Sequence, residues 1–375
     1  MAEKNKPKRI LALSGGGIRG ALTLGFLEKI EEEIRKTEPG KKLRDHYDLI
    51  GGTSTGAIIS AGLAKGMDAA DITDLYKKLG KNIFGKKRNL IMSLIKKSSF
   101  DFRPLDNALK DAFGDLTIGS PEVKQGGLCI VTKRADTFST WPIFNHPKGK
   151  FYNDGSDEEL GYSWKANKNF PLWQVVRASA AAPTYFAPRK LSVDYYKDDA
   201  VFVDGGVSLS NNPSMQLFLL ATLKAFPYPW ETGADKLSLT SIGTGDFKRN
   251  YDKKKIFKKG MLGWAKLIPD LFMHDADYFN QTMMQYMSDS PTAQHIDGEI
   301  GDLKNDKLTD KPLLKYIRYN VRLDKETLDN LGFKGKFTDE KIESFREMSD
   351  HTNIEPLYEI GREAAKEYVK EGHLK

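Results

Sequence analysis

The chain has 375 residues, enough for one large domain or two to three ordinary ones. Hydrophobic residues make up 39%, which excludes general disorder, and the single cysteine, Cys129, excludes an intramolecular disulfide and a cysteine-based zinc site. The 58 Lys and Arg against 51 Asp and Glu leave a mild net charge of +7.

The N-terminal apolar run, Ile10 to Leu13, is too short for a signal-peptide core. Nowhere do about eighteen apolar residues follow one another, as a membrane span requires, so the expectation is a cytoplasmic protein. Arg9 to Ser14 reads as a buried strand, followed by a glycine turn and a helix from Ala21 to Arg35. Asp45 to Gly51 is a second short strand, entering another glycine turn before a helical stretch, Ala57 to Lys65. Gly127 to Lys133, Ala200 to Asp204 and Leu237 to Gly243 are further strands. Strands alternating with helices predict a mainly parallel sheet covered on both faces. Beyond Lys248 the pattern changes. Met261 to Met287 is rich in Met, aromatics and Leu at helical spacing, with a kink expected at Pro269. Leu314 to Leu323 reads as a strand, and Thr338 and Asn353 as N-caps of two final helices, the second running to Lys370. No repeat and no Pro-, Gly- or Ser-rich linker divides the chain, which favours one α/β domain with a helical C-terminal elaboration.

Three local patterns carry chemistry. Ser14 to Gly20, SGGGIRG, lies between a strand and a helix, where glycines let backbone N–H groups turn toward an anion. Gly15, Gly17 and Gly20 satisfy G-x-G-x-x-G, but the next strand runs into Gly52-Thr53-Ser54 and not into the acidic residue a dinucleotide site needs. No Gly-Lys-Ser/Thr follows, so a phosphate-binding P-loop also fails. The loop suits a phosphate or the oxyanion of a tetrahedral intermediate, or it is a plain tight turn. Gly52 to Gly56, GTSTG, has the form and the strand-to-helix context of a nucleophile elbow with Ser54 at its apex. Asp204 ends a strand and meets Gly205 and Gly206, which leave its carboxylate unobstructed where it can act as a general base. None of the six histidines, His46, His146, His274, His295, His351 and His373, stands in a recognisable motif.

Together, in this order, the three patterns resemble the patatin-like phospholipase family, with Ala178 to Pro188 and Asn211-Asn212-Pro213 resembling blocks on either side of the family's dyad Asp. The resemblance covers Lys8 to Gly245. It implies a three-layer α/β/α fold with a mainly parallel central sheet, a catalytic domain over residues 8–245 and an elaboration over 246–375 packed on the same domain. It further implies Ser54 as nucleophile and Asp204 as base, without a histidine. Gly15, Gly16, Gly17 and Arg19 would form the oxyanion loop, Gly52 and Gly56 the elbow, and Gly205 and Gly206 the motif of the dyad Asp. No cofactor or metal is required for this chemistry.

The substrate expected from the resemblance is a membrane phospholipid, attacked at the inner membrane surface. Two segments are candidate lipid contacts: Lys86 to Lys97, where basic residues bracket an apolar run, and Met261 to Met287, which reads equally as a core helix or an oligomer contact. The proportions are similar to bacterial patatin-like effectors of anti-phage signalling, in which a cyclic di- or oligonucleotide switches on lipid hydrolysis; a homo-oligomer is part of that expectation. An anionic activator needs Arg, Lys and aromatic groups. The basic cluster Lys248 to Lys259, with seven Lys/Arg against Asp252, and Arg318, Tyr319 and Arg322 are the candidates, with solvated loops as the ordinary reading of the cluster. DNA or RNA is not expected as a partner. The competing function is a constitutive lipase or lysophospholipase without nucleotide control.

Overall fold

The computed structural model describes residues 6–84, 100–159, 161–195, 197–247 and 252–374. The segment 86–97 and residues 248–251 of the basic cluster lie outside the described residues.

Strand β1, Lys8–Leu13, alternates strictly: Ile10 and Ala12 enter one core, Leu11 and Leu13 the opposite one. Such a strand is buried on both faces, which places it at the centre of a sheet. Around it lie β2 (Leu49–Thr53), β3 (Leu128–Arg134), β4 (Thr140–Phe144), the separate hairpin β5 (Gly155–Asp157) and β6 (Tyr162–Trp164), then β7 (Arg189–Leu191), β8 (Ala200–Asp204), β9 (Leu237–Ile242), β10 (Ser288–Asp289) and β11 (Leu314–Tyr319). The main sheet runs β10-β11-β9-β1-β2-β3-β8-β7, with β4 paired to β3. From β10 to β3 every pairing is parallel; β4, β7 and β8 join antiparallel.

Helices cover both faces. Helices Gly20–Thr37, Thr55–Lys65 and Ile354–Tyr368 bury apolar faces on one side, and Ser214–Thr222 and the C-terminal half of Met261–Met287 on the other. This is the expected three-layer α/β/α arrangement. The C-terminal portion is more than helical, however: β11 pairs with β9 inside the main sheet. Its last helix crosses Gly20–Thr37 so closely that a Cβ on Gly361 would stand 2.2 Å from the Leu22 carbonyl oxygen. Helix Met261–Met287 runs through Pro269 as one element.

The register at β3 sets the site. β4 occupies one edge of β3 from Cys129 to Lys133. On the other edge β2 pairs as far as Thr53 with Val131, and β8 takes over at the next position, Asp204 with Thr132. The residue after Thr53 and the last residue of β8 are thereby brought side by side at one end of the sheet.

Candidate active site

Ser54 leaves β2 at φ 55°, ψ −120° and caps helix Thr55–Lys65. A serine in this region is strained, by about 1–3 kcal/mol, and persists only where its surroundings enforce it. Here they do. The Ser54 N–H donates to Ser179 Oγ at 2.9 Å, and that hydroxyl donates to the Val131 carbonyl at 2.6 Å. The turn is also tight, since a Cβ on Gly56 would lie 2.1 Å from the Leu13 carbonyl oxygen and one on Gly52 2.1 Å from that of Gly56.

The Ser54 hydroxyl donates to Asp204 Oδ2 at 2.6 Å. The other carboxylate oxygen accepts the Gly206 N–H at 2.7 Å, while Gly205 lies against the Val131 carbonyl, where a Cβ would stand at 2.4 Å. Asp204 is buried, and burial pushes its carboxyl up from the ordinary 3.8 to about 6, against the opposing pull of the Ser54 hydroxyl, the Gly206 N–H and the Arg177 charge. Arg177 is itself buried and is held by Asp106 through Nε at 2.9 Å. Among the described residues no histidine hydrogen-bonds Ser54 or Asp204. His46 is buried in the core with its pKa lowered to about 4, and His373 meets the Tyr319 hydroxyl at 2.8 Å.

The glycine loop lies beside the pair. The Gly15 N–H is committed to the Asn211 carbonyl at 3.0 Å, so Gly15 serves as a spacer: a Cβ there would meet Asn211 Oδ1 at 2.5 Å and Ser54 Cβ at 3.2 Å. The N–H groups of Gly16 and Gly17 have no acceptor among the described residues. Gly17 has φ +59° and faces the Met348 carbonyl oxygen, 2.3 Å from where its Cβ would be, so only glycine fits. Arg19 Nε donates to the Gly16 carbonyl at 3.3 Å. Two loop supports had no signature in the sequence: Tyr76 donates to the Gly17 carbonyl and Thr244 Oγ1 donates to the Gly15 carbonyl at 3.0 Å, whereas Ser179, which holds the elbow, lies in the block Ala178 to Pro188. They come from distant segments, and only the folded sheet brings them together.

A cavity of about 610 Å³ opens on the β9 and β11 side of the loop, lined by Ser14, Gly15 and Asn211 and by Arg318, Asn320 and Arg322. Tyr319, expected beside them, is not there. Neighbouring residues of a strand face opposite ways, and its buried ring stacks on Phe26 at 5.7 Å in the other layer.

Helix Met261–Met287 divides between the two readings of its sequence. Ala276, Met284 and Met287 are buried, whereas Met261, Trp264, Ile268, Leu271, Phe272 and Phe279 are exposed. Phe257, just upstream, is 89% exposed and is flanked by Lys253, Lys254, Lys258 and Lys259. Near the buried end, Asn280 Nδ2 donates to the Leu209 carbonyl at 2.6 Å, tying the helix to the loop that follows Asp204.

The family model described as patatin-like phospholipase matches residues 11–218, more than half of the chain, and the protein belongs to that family. It is 27% identical over 273 residues to a cGAMP-activated phospholipase of Escherichia coli, covering 70% of this chain and 69% of that one. A cGAMP-activated phospholipase of Vibrio cholerae is 32% identical over 219 residues, 55% of either chain. Human calcium-independent phospholipase A2-gamma is 33% identical over 217 residues, 56% of this chain but 25% of its own length. The chain thus spans between a quarter and about two thirds of these relatives.

Proposed function

We propose that the protein is a serine acyl hydrolase of the phospholipase A type, acting on membrane glycerophospholipids and switched on by a cyclic di- or oligonucleotide. The observation that carries the hydrolase reading is the direct 2.6 Å hydrogen bond from Ser54 Oγ to Asp204 Oδ2 at a positive-φ elbow. In the forward step Ser54 Oγ attacks the ester carbonyl while Asp204 takes its proton. The oxygen of the tetrahedral intermediate gathers negative charge beside the Gly16 and Gly17 N–H groups, whose orientation is fixed by Arg19, Tyr76 and Thr244. Collapse expels the alcohol, a lysophospholipid, which receives the proton from Asp204. Water then attacks the acyl-serine with Asp204 again as base, releasing the fatty acid and restoring Ser54.

The substrate lies in a bilayer, and no helix among the described residues is long and apolar enough to cross one. The exposed stripe of helix Met261–Met287 offers apolar side chains to a bilayer, and Lys253, Lys254, Lys258 and Lys259, which precede the helix, offer the charge that anionic lipid attracts. Nucleotide control is supported by the two bacterial relatives described as cGAMP-activated. On this reading residues 8–245 perform the chemistry, residues 246–375 serve membrane contact and control, and the protein is a cytoplasmic antiviral effector working at the inner membrane surface. Fatty-acid release from anionic phospholipid vesicles, with and without cyclic dinucleotides, tests both parts. Release that requires nucleotide and disappears in Ser54→Ala is expected. Undiminished release by Ser54→Ala overturns the hydrolase reading, and release indifferent to cyclic nucleotides overturns the control.

A further inference from the structure

We propose that the cavity beside the glycine loop is a phosphodiester-binding site with Arg318 as its buried cation. Arg318 lines the cavity although its side chain is only 2% exposed. Its Nη1 donates to Ser241 Oγ at 2.7 Å and Ser14 Oγ at 3.2 Å, both neutral groups. Its Nη2 has a long ion pair with Asp277, at 3.6 Å, and its Nε has no partner among the described residues. A buried guanidinium this loosely compensated is costly, and an anion in the cavity completes it. The other acids of the wall are already engaged. Asp297 accepts the Tyr278 hydroxyl and the N–H groups of Glu299 and Ile300, and Asp246 accepts the Phe247 N–H at 2.7 Å. Arg322, half exposed and 4.0 Å from Asp324, adds a second cation toward solvent.

The volume, about 610 Å³, suits an organic ligand and far exceeds an inorganic ion. Asn320, Gln281 and Tyr278 supply amides and an aromatic ring for the non-phosphate portion. The site is coupled to the chemistry through the glycine loop: Gly15 and Arg19 line the cavity, and the Ser14 hydroxyl that Arg318 holds belongs to the residue preceding Gly15. A phosphate drawing on Arg318 alters the anchoring of the loop that carries the Gly16 and Gly17 N–H groups.

Two sources offer this anion: a cyclic dinucleotide and the head group of a phospholipid. The nucleotide identity rests on the function proposed above; the phosphodiester site does not. Calorimetric titration of the full chain with 3′,3′-cyclic GMP–AMP and, separately, with glycerophosphoglycerol distinguishes them. Wild type is expected to bind one of the two, and Arg318→Met to weaken that binding at least about tenfold, the loss of a charge-assisted hydrogen bond. Arg322→Gln, an exposed change without folding cost, is expected to weaken it less and to flatten its salt dependence. If only glycerophosphoglycerol binds, in an Arg318-dependent way, the site stands as a head-group site and its occupation by 3′,3′-cyclic GMP–AMP falls. Nucleotide that activates wild type and both variants with equal affinity overturns the site while leaving control intact. Binding of neither probe to wild type overturns it as well. Should Arg318→Met lose its cooperative melt, unchanged affinity and salt dependence in Arg322→Gln overturn the site.

Discussion

Asp204→Asn separates what Asp204 does for the reaction from what it does to the fold. Burial holds the Asp204 carboxyl near 6, against 3.8 for an ordinary aspartate. The folded state therefore keeps this proton through a pH window in which the unfolded chain has released it. Stability from this group is highest below pH 3.8 and is lost as pH rises through about 6. At about 1.4 kcal/mol per pH unit, the charged carboxylate costs the native state ~3 kcal/mol at pH 8. Asparagine has nearly the same shape, its carbonyl can still accept the Gly206 N–H, and it carries no charge to bury.

The expectation is thus an inactive variant that is ~3 kcal/mol more stable than wild type at pH 8, with the difference shrinking toward zero below pH 4. Urea unfolding at a series of pH values measures it directly, because titrations common to both proteins cancel in the difference. Ester hydrolysis measured in parallel should be absent in the variant, and in wild type should rise with pH through about 6 as the base ionises. A variant less stable than wild type at pH 8, or a difference independent of pH, would refute the assignment of Asp204 as a buried, destabilised base.

Ser54→Gly and Ser54→Ala should both be inactive, and because both lack the hydroxyl, the glycine variant should be the more stable of the two by ~1–2 kcal/mol in denaturant melts, since glycine relieves the positive φ; equal stability would show that the elbow is unstrained. Ser179→Ala should lower kcat with little change in KM and cost ~1–3 kcal/mol, because the buried Ser54 N–H loses its acceptor; an unchanged kcat would remove Ser179 from the support of the elbow. Gly17→Ala, with its Cβ 2.3 Å from the Met348 carbonyl oxygen, should displace the loop and lower kcat about 10²–10³-fold, the scale of one lost oxyanion donor; near-normal kcat would exclude this loop from the oxyanion site. Ile268→Asp on the exposed stripe should reduce co-sedimentation with anionic vesicles and leave hydrolysis of a soluble short-chain ester unchanged; equal vesicle binding would exclude that face as the lipid contact.

The sequence displays those parts of the fold whose causes are local. β1, β3, β8 and β9 are short apolar runs bounded by glycine or charge, and each lies within a residue of its predicted place, whereas β2 begins at Leu49, four residues after the expected Asp45, because Leu43–His46 forms a helical turn. β4 was not legible because Pro142 at its centre argues against a ladder; the strand tolerates it by pairing only with β3. β7 and β10, three and two residues long, are too short to show a period. The same distinction holds at the site. Ser54, Asp204 and the glycines are marked by their neighbours in the chain, and Ser179 falls in the block Ala178 to Pro188, whereas Tyr76 and Thr244 act across gaps that no local pattern encodes. Tyr319 shows the cost of reading proximity from adjacency: next to Arg318 in sequence, it faces the opposite layer.

The register around β3 also explains how the proposed dyad works without an imidazole. In a serine–histidine pair the ring spans the distance to a carboxylate and supplies a base with a pKa of about 6.5. Here the distance needs no spanning, because β2 ends opposite Val131 and β8 ends opposite Thr132 on the same edge, so hydroxyl and carboxylate meet directly. The proton affinity is supplied by position instead of residue type. At the ordinary 3.8 a carboxylate is too weak a base for a serine hydroxyl near neutral pH, but burial at the end of β8 brings Asp204 to about 6, close to an imidazole. The same burial that makes Asp204 costly to the fold makes it basic enough to act, so the stabilisation expected of Asp204→Asn and its loss of activity have one physical origin.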